Sequence, residues 1–383
     1  MSTACLVIGS IGFSIALGEG LLRLLPGLLP LELRKQLQRD LENQGPGHSY
    51  IGGLARPNSK DIISGRDFSA AFHTDGYGFR NAWPWPERAD MVVVGDSFVF
   101  GYGVADAEAW PALLAQALPQ ARVINLGLSG ASPQQYLRVY ETFGTSLRPR
   151  VIVVGLLLLN DFSDAAVFDK WVRAHTTEHY LLWRNHRYHL TLSRPVVSLK
   201  SVLRRYSYVY NLGRNTYRAW GRDSPISLEL ADGGRLQLVP SFLTKVANMG
   251  QPQRREFQLV LQALVDLQAL AHQQGASVLV VFQPTKEEVY LPLLGKPVAN
   301  LSAPLRVALD THGIAYLDLT AAFGQCARAG KRLFFEVDAH ANEQGHRLIA
   351  QEVLAHLSKH ATVYPLPYAT SSSRGTRLQC KSD

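Results

Sequence analysis

The stretch Met91-Val92-Val93-Val94-Gly95-Asp96-Ser97-Phe98 decides the fold. Four apolar residues without polar alternation are typical of a strand in a parallel sheet that is covered on both faces. Gly95 ends the run, and a polar pair, Asp96 and Ser97, follows at once. Because the turns after parallel strands converge at one edge of the sheet, this pattern places a serine where ligands bind.

The same pattern recurs along the chain. Further strands are predicted at 122–125, 151–159, 277–282 and 314–319. Helical periodicity of three to four residues is present at 109–118, 134–143, 254–273, 301–312 and 342–359. Alternating strands and helices predict an open α/β sheet.

Residues 163–252 interrupt this alternation and are too long for a simple loop, so they predict an inserted subdomain. Within 167–250, thirteen Lys or Arg residues face five acidic ones. Aromatic residues lie between these charges, namely Trp171, Trp183, Tyr188, Tyr206, Tyr208, Tyr210 and Trp220. Two interpretations stay open: the rings form a small core beneath solvated charges, or they bind a polyanionic or sugar ligand.

The two ends of the chain differ from the rest. Residues 4–17 are uncharged and apolar, and Glu19 and Arg23 lie four apart, close enough to pair. The run is shorter than the roughly 20 residues of a spanning helix. Residues 1–31 are interpreted as a membrane anchor that holds the catalytic domain outside the cytoplasm, in the periplasm, with a buried amphipathic helix as the alternative. Residues 371–383 predict a disordered tail.

Composition excludes several classes of protein. The chain has 383 residues, 46% of them hydrophobic, which is incompatible with a disordered polymer. A net charge of +8 falls short of a nucleic-acid-binding signature, so no nucleic-acid partner is expected. Cys5, Cys326 and Cys380 are too dispersed for a zinc cage, although one disulfide is possible. No cofactor or metal is predicted.

A serine hydroxyl becomes a nucleophile only when a histidine, oriented by a carboxylate, takes its proton. Asp338-Ala339-His340 supplies both groups just before a predicted helix. Donors for a developing oxyanion are available in the segment 125–130 and at Asn160, each at a predicted strand end.

These blocks, in this order, resemble the SGNH (GDSL-like) hydrolases over residues 75–357. The resemblance implies that Ser97 is the nucleophile, His340 the general base and Asp338 its orienting carboxylate. It also implies an oxyanion hole formed by the backbone N–H groups of Ser97 and Gly130 and the amide of Asn160. The implied fold is a three-layer αβα, flavodoxin-like parallel sheet over 48–370, with the insertion inside it.

Two departures refine the resemblance. Leu158 stands where the third block usually has glycine, and the last block is Asp-x-His instead of Asp-x-x-His. The second departure is similar to the membrane-associated branch of alginate O-acetyltransferase-like proteins. Segments 284–290, 317–319 and 342–346 resemble the same branch, and 74–80 resembles a lead-in of anchored SGNH proteins.

Each assignment has an alternative. Ser97 could cap a helix, Asn160 could be a turn residue, and His346 competes with His340 for the role of base. Glu336 competes with Asp338. Asp161 and Asp164 resemble paired carboxylates, for which structural hydrogen bonding is favoured over metal binding.

The predicted function is serine-dependent hydrolysis of esters. An acyl-enzyme on Ser97 would remove acyl groups, such as acetyl, from a carbohydrate or lipid-like substrate, with an envelope polysaccharide as one possible partner. The alternatives are a carbohydrate O-acetyltransferase that uses the same triad, and a noncatalytic carbohydrate-binding protein.

Overall fold

The computed structural model describes residues 3–25, 27, 29, 48, 50–174, 203, 206–220, 225–231, 233–368 and 380. The first elements are α1 (Thr3–Leu24), β1 (Lys60–Ser64), β2 (Ser69–His73), β3 (Met91–Gly95), α2 (Ser97–Phe100), α3 (Trp110–Ala117), β4 (Val123–Gly127) and α4 (Pro133–Val139). The middle of the chain contains β5 (Val151–Leu156), α5 (Leu158–Ala174), α6 (Tyr208–Trp220), β6 (Ile226–Glu229), β7 (Arg235–Leu238) and α7 (Ser241–Met249). The last elements are α8 (Arg255–Gln273), β8 (Ser277–Phe282), α9 (Lys286–Tyr290), α10 (Ala303–Thr311), β9 (Tyr316–Asp318), α11 (Thr320–Arg328) and α12 (Glu343–Lys359).

Five strands form a parallel sheet in the order β4-β3-β5-β8-β9. β3 lies between β4 and β5, so the chain reverses its direction of winding beside the strand that precedes Ser97. In open α/β sheets such a reversal leaves a crevice at the carboxyl ends of the strands, and ligands bind there. The sheet therefore places the turn after β3 at the natural position of a site.

Both faces of the sheet are buried. Val92, Val94 and Val154 face one apolar cluster, to which α4, α5, α8 and α10 contribute. Val93 and Val153 face a second cluster, built with α3, α11, α12 and the β6–β7 hairpin. The predicted three-layer αβα architecture is thus confirmed, and the buried valines explain why these strands lack polar alternation.

The strand predicted over 151–159 is too long. β5 ends at Leu156 and α5 begins at Leu158, because the apolar run continues from the strand directly into a helix. Asn160 consequently lies in the first turn of α5 and not in a loop. The predicted start of the insertion, at 163, falls inside this helix, whose Phe162, Ala165 and Phe168 are buried.

The insertion is only partly described. Trp171 stacks on Phe168 with ring centroids 5.3 Å apart, which agrees with a packing role for that aromatic residue. Tyr208 and Tyr210 lie on α6, which packs beside α1. The predictions for Trp183, Tyr188 and the side chain of Trp220 fall outside the described residues.

The terminal segments contact the rest of the chain. Glu19 on α1 pairs with Arg23 at 2.8 Å and accepts the backbone N–H groups of Tyr208 and Val209 at the start of α6. No helix among the described residues is long and apolar enough to cross a membrane. The predicted tail over 371–383 falls outside the described residues except at Cys380, which forms a disulfide with Cys326 of α11.

Candidate active site

The nucleophile turn, residues 95–100, is built by the register of the sheet. Gly95 pairs with Gly127 on one side and with Gly155 on the other. A Cβ on Gly127 would lie 2.3 Å from the backbone nitrogen of Phe100, so only glycine lets α2 approach the strand ends this closely. Ser97 is the first residue of α2, and its residue surface is only 7% exposed.

Asp96, and not Ser97, caps α2. Its carboxylate accepts the N–H of Phe98 at 2.9 Å. The alternative role of Ser97 as a helix cap is therefore taken by its neighbour, and the Ser97 hydroxyl is available for another partner. Asp96 is fully buried; burial raises its pKa, and the hydrogen bonds from Phe98 and Asn160 oppose that effect.

The base loop, residues 333–342, supplies that partner. A bridge between Phe334 and Ala341 and a hydrogen bond from the N–H of Phe335 to the carbonyl of His340 close the loop at its base. His340 Nε2 lies 2.8 Å from Ser97 Oγ. On the other side of the ring, Nδ1 lies 2.6 Å from Asp338 Oδ1. Three residues from opposite ends of the domain thus form one continuous hydrogen-bonded chain.

The surroundings of the triad favour an ionised Asp338 and a fixed imidazole. Burial opposes ionisation of Asp338, but the hydrogen bonds from His340 and the nearby Lys286 charge outweigh it, and the pKa of Asp338 is lowered. The ring of His340 contacts those of Phe98 and Tyr102, at centroid distances of 5.1 and 4.5 Å. The side chain of His340 is 22% exposed, so a substrate can reach it.

His346, the competing base, is placed elsewhere. It is buried in α12, and its Nδ1 accepts the backbone N–H of Trp110 at 3.2 Å. Burial lowers its pKa to about 3, so the ring is neutral. The carboxylate at His340 is that of Asp338, and not that of Glu336.

The expected oxyanion donors lie beside the nucleophile turn, but they differ in readiness. Leu128 donates its N–H to the carbonyl of Gly95 at 2.9 Å, which holds the 128–130 turn next to Ser97. Gly130 is exposed and has φ +74°. Asn160 Nδ2 lies 3.1 Å from Asp96 Oδ2 and 3.0 Å from Asp164 Oδ2. Both amide hydrogens are engaged by carboxylates, so donation to an oxyanion would require the release of one.

Among the described residues, Asp161 and Asp164 accept hydrogen bonds from neighbouring groups. Asp161 is fully buried and accepts the hydroxyl of Tyr136 at 2.5 Å and the N–H of Leu157 at 2.6 Å. Burial, reinforced by the charge of Asp96, raises the pKa of Asp161 well above its usual value. Burial also raises the pKa of Asp164, to about 6. Nowhere in the described ranges do three His, Cys, Asp or Glu side chains form a cluster that could hold a metal ion.

Two buried cations near the site were not predicted. The Arg80 guanidinium donates to the carbonyls of Phe100, Gly101 and Val104 and pairs with Asp106 at 2.7 Å. Lys286 donates to the base loop. Both lie in the segments 74–80 and 284–290 that the family resemblance singled out without a role. The signal in the sequence that could have identified them is a charged residue next to a predicted buried strand or turn.

Fold and site together define a class: an α/β protein with a serine, histidine and aspartate in contact at the carboxyl edge of a parallel sheet, as serine-dependent acyl transfer requires. Residues 242–377 match the family model described as "SGNH hydrolase-like domain, acetyltransferase AlgX". Over this part of the chain, the match confirms the resemblance to SGNH hydrolase-like proteins that was drawn from the motif blocks. The match includes the base loop and Lys286 but not Ser97.

Solved structures with a similar fold include a member of the lipolytic G-D-S-L family from Veillonella parvula, 15% identical, with a TM-score of 0.36, covering 70% of this chain and 98% of its own. A two-domain esterase active on acetylated mannans is 10% identical, with a TM-score of 0.37, covering 75% of this chain and 52% of its own. The α/β hydrolase LAE5 from the metagenome of Lake Arreo is 14% identical, with a TM-score of 0.36, covering 73% and 97%. No curated protein matches this chain in sequence.

Proposed function

We propose that the protein is a serine-dependent esterase that removes acyl groups, acetyl above all, from an acylated carbohydrate. The observation that carries this proposal is the contact chain from Ser97 through His340 to Asp338, with distances of 2.8 and 2.6 Å. The acetyl group is supported by the description of the matched family model, which is that of an acetyltransferase. The carbohydrate is supported by the resemblance to alginate O-acetyltransferase-like proteins.

In the proposed mechanism, Ser97 Oγ attacks the ester carbonyl while His340 Nε2 takes the hydroxyl proton. Asp338 stabilises the resulting imidazolium. The N–H groups of Ser97 and Gly130 and one hydrogen of the Asn160 amide stabilise the oxyanion. The carbon–oxygen bond to the alcohol then breaks, and the alcohol leaves with the proton from His340. A water molecule that gives one proton to His340 attacks the carbonyl of the acyl-enzyme; the bond to Ser97 Oγ then breaks, His340 returns the proton to Oγ, and the acid is released.

Acyl transfer to a sugar hydroxyl is the second candidate function. It uses the same triad, with the hydroxyl in place of water at the last step. The family match favours it, because the matched model is described as an acetyltransferase. The two functions differ only in which acceptor reaches the acyl-enzyme first.

The first test is labelling with a fluorophosphonate together with turnover of 4-nitrophenyl acetate. Wild-type protein should be labelled and should release 4-nitrophenol, whereas Ser97→Ala should do neither. Ser146→Ala is the matched control, because Ser146 is exposed and bonds only locally to the carbonyl of Phe143. Equal labelling of wild type and Ser97→Ala would show that Ser97 is not the nucleophile. Absence of turnover in both would favour a noncatalytic carbohydrate-binding protein.

The acceptor is identified by adding oligosaccharides to the same reaction. Hydrolysis predicts that acetate equals the 4-nitrophenol released, with or without sugar. Transfer predicts that acetylated sugar accumulates and that acetate falls by the same amount. Mass spectrometry of the sugar distinguishes the two outcomes.

We also propose that the protein is associated with a membrane and acts outside the cytoplasm. Two observations support this. The Cys326–Cys380 disulfide is typical of oxidising compartments. Helix α1 exposes large apolar side chains, among them Phe13 at 70% and Leu17 at 60%. Cell fractionation of the full chain, with protease treatment of spheroplasts, should find it in the membrane fraction and accessible from outside. Recovery in the soluble cytoplasmic fraction would contradict the proposal.

A further inference from the structure

Lys286 is a buried cation in contact with the base loop. It follows β8 as the first residue of α9, after the helix cap Thr285, and only 1% of its surface is exposed. Its ammonium donates to the carbonyls of four consecutive loop residues: Phe335 at 3.2 Å, Glu336 at 3.1 Å, Val337 at 3.3 Å and Asp338 at 2.9 Å. The backbone of the base loop thus curves around a single charge.

A buried lysine needs a reason, because removing an ammonium from water is costly unless it is fully bonded. Burial lowers the pKa of Lys286, and the charges of Glu287 and Asp338 oppose that effect. Four carbonyl dipoles that converge on one point would repel each other without the cation. The ammonium and this curvature of the loop therefore depend on each other.

The other contacts of the base loop do not do what the Lys286 contact does. The N–H of Val337 donates to Asp67 Oδ2 at 2.8 Å, and the carbonyl of Glu336 accepts the N–H of Gln237 at 2.8 Å. Both hold the outer part of the loop. Among the described contacts, only that of Lys286 reaches the backbone of Asp338 itself, two residues before His340.

We propose that Lys286 is a positioning residue for the triad: it fixes the backbone of residues 335–338, and so keeps Asp338 and His340 in line with Ser97. The inference rests on the proposed function. The side chain touches no substrate atom; it acts through the loop, and its charge also favours the ionised form of Asp338.

The test compares the wild type with Lys286→Met, which keeps an unbranched side chain one atom shorter and removes its charge. We expect kcat for 4-nitrophenyl acetate to fall about 100-fold, since a displacement of about 1 Å in a reacting group has effects of this size. KM should change little. The acidic limb of kcat/KM against pH should move to higher pH, because loss of the Lys286 charge favours the protonated form of Asp338, the carboxylate that orients His340.

The control separates positioning from stability. Leu305→Ala opens a cavity in the opposite apolar cluster, where Leu305 is fully buried. It should lower the melting temperature and leave kcat and the pH profile unchanged at temperatures where the protein is folded. If Lys286→Met behaves in the same way, the inference is wrong.

Should Lys286→Met fail to fold, Lys286→Arg allows the same decision. It keeps the charge but redirects the hydrogens, so positioning predicts a reduced kcat with the acidic limb unmoved. A wild-type kcat in this variant would overturn the inference. If the wild-type protein itself is neither labelled nor active, the proposed function is refuted, whatever the Lys286 variants do.

Discussion

The nucleophile turn and the base loop reach the same site by different means. The nucleophile turn is fixed by the register of three parallel strands, where Gly95 aligns with Gly127 and Gly155. The base loop belongs to no strand of the sheet: backbone bonds close it at its base, and the side chains of Lys286, Asp67 and Asn342 also bond to it. The register of the sheet therefore positions the nucleophile, whereas the base depends on a loop outside the sheet that side chains help to hold.

The largest expected effect on turnover comes from removing the nucleophile or the base. Ser97→Ala and His340→Ala should each reduce kcat by roughly 10⁴-fold or more. The double variant should be no slower than the slower single variant, because each loss already disables the same step. Steady-state kinetics with 4-nitrophenyl acetate measures all three.

If the losses in kcat add up in the double variant, the two regions do not act on one step. Such additivity would mean that the nucleophile turn and the base loop contribute to turnover separately, and that the 2.8 Å contact does not carry the reaction. Circular dichroism of each variant is the control for folding.

The next largest effect is expected at the oxyanion donor Asn160, which lies in α5 and belongs to neither the nucleophile turn nor the base loop. Asn160→Ala should reduce kcat by about 10²- to 10³-fold, the usual cost of one lost donor. Asp164→Ala removes one of the two carboxylates that engage the Asn160 amide, so kcat should equal or exceed that of the wild type. A loss in Asp164→Ala as large as that in Asn160→Ala would show that Asp164 holds the amide in place instead of competing for it.

The regions differ in how far they can be predicted from sequence. The valine run before Ser97 indicates a buried parallel strand, and glycine at its end indicates a close approach of chain segments. Both are local signals, and the structure contains both features. The extent of β5 was overestimated because a buried strand and a buried helix have the same apolar composition where they join, at Leu156 to Leu158.

A charged residue next to a buried strand marks Lys286 as unusual, but its contacts with the base loop could not be predicted. Asp338 and His340 are recognisable because their chemistry requires these side chains near each other. Lys286 lies about fifty residues upstream, and its contacts are to backbone carbonyls, which any sequence offers. The engagement of Asn160 by Asp96 and Asp164 is likewise a matter of side-chain geometry, which spacing along the chain does not define.

A smaller effect is expected at the end of the base loop. Asn342 caps α12 by accepting the N–H groups of Gln344 and Gly345, and its amide donates to the carbonyls of Arg332 and Phe334. Asn342→Ala should lower the free energy of unfolding by about 1 kcal/mol and kcat/KM by less than about tenfold. Asn342→Asp is the matched control, because it keeps the cap and loses the two donated bonds. Urea denaturation and kinetics at one pH measure both quantities.

If Asn342→Asp retains the stability but not the rate, the donated bonds serve the loop and the accepted ones serve the helix. If both variants keep the wild-type rate, the bonds that Asn342 donates are not needed to hold the loop. Either result shows which side-chain bonds hold the base loop in place.

The smallest expected effect on turnover is that of Glu141→Gln, which replaces a carboxyl whose hydrogen-bond partner is Tyr50. Glu141 is partly buried and accepts the hydroxyl of Tyr50 at 2.5 Å. Burial raises its pKa to about 8, although Tyr50 and Arg138 oppose the rise. The folded protein therefore binds a proton here that the unfolded chain, with a pKa of 4.5, has released. The contribution of Glu141 to stability must then fall as pH rises from about 5 to 8, because this carboxyl holds more protons in the native state over that interval.

Glutamine mimics the protonated carboxyl, so Glu141→Gln should match the wild type near pH 5 and exceed its stability near pH 8, with kcat unchanged at both. Urea denaturation across this interval, alongside kinetics, measures the two responses on the same samples. An equal pH dependence of stability in variant and wild type would show that Glu141 is ionised in the folded protein. A shift in the pH profile of kcat would link this carboxyl to the triad. Without such a shift, the pH dependence of turnover arises at the site, and that of stability arises in part from the helical layer beside it.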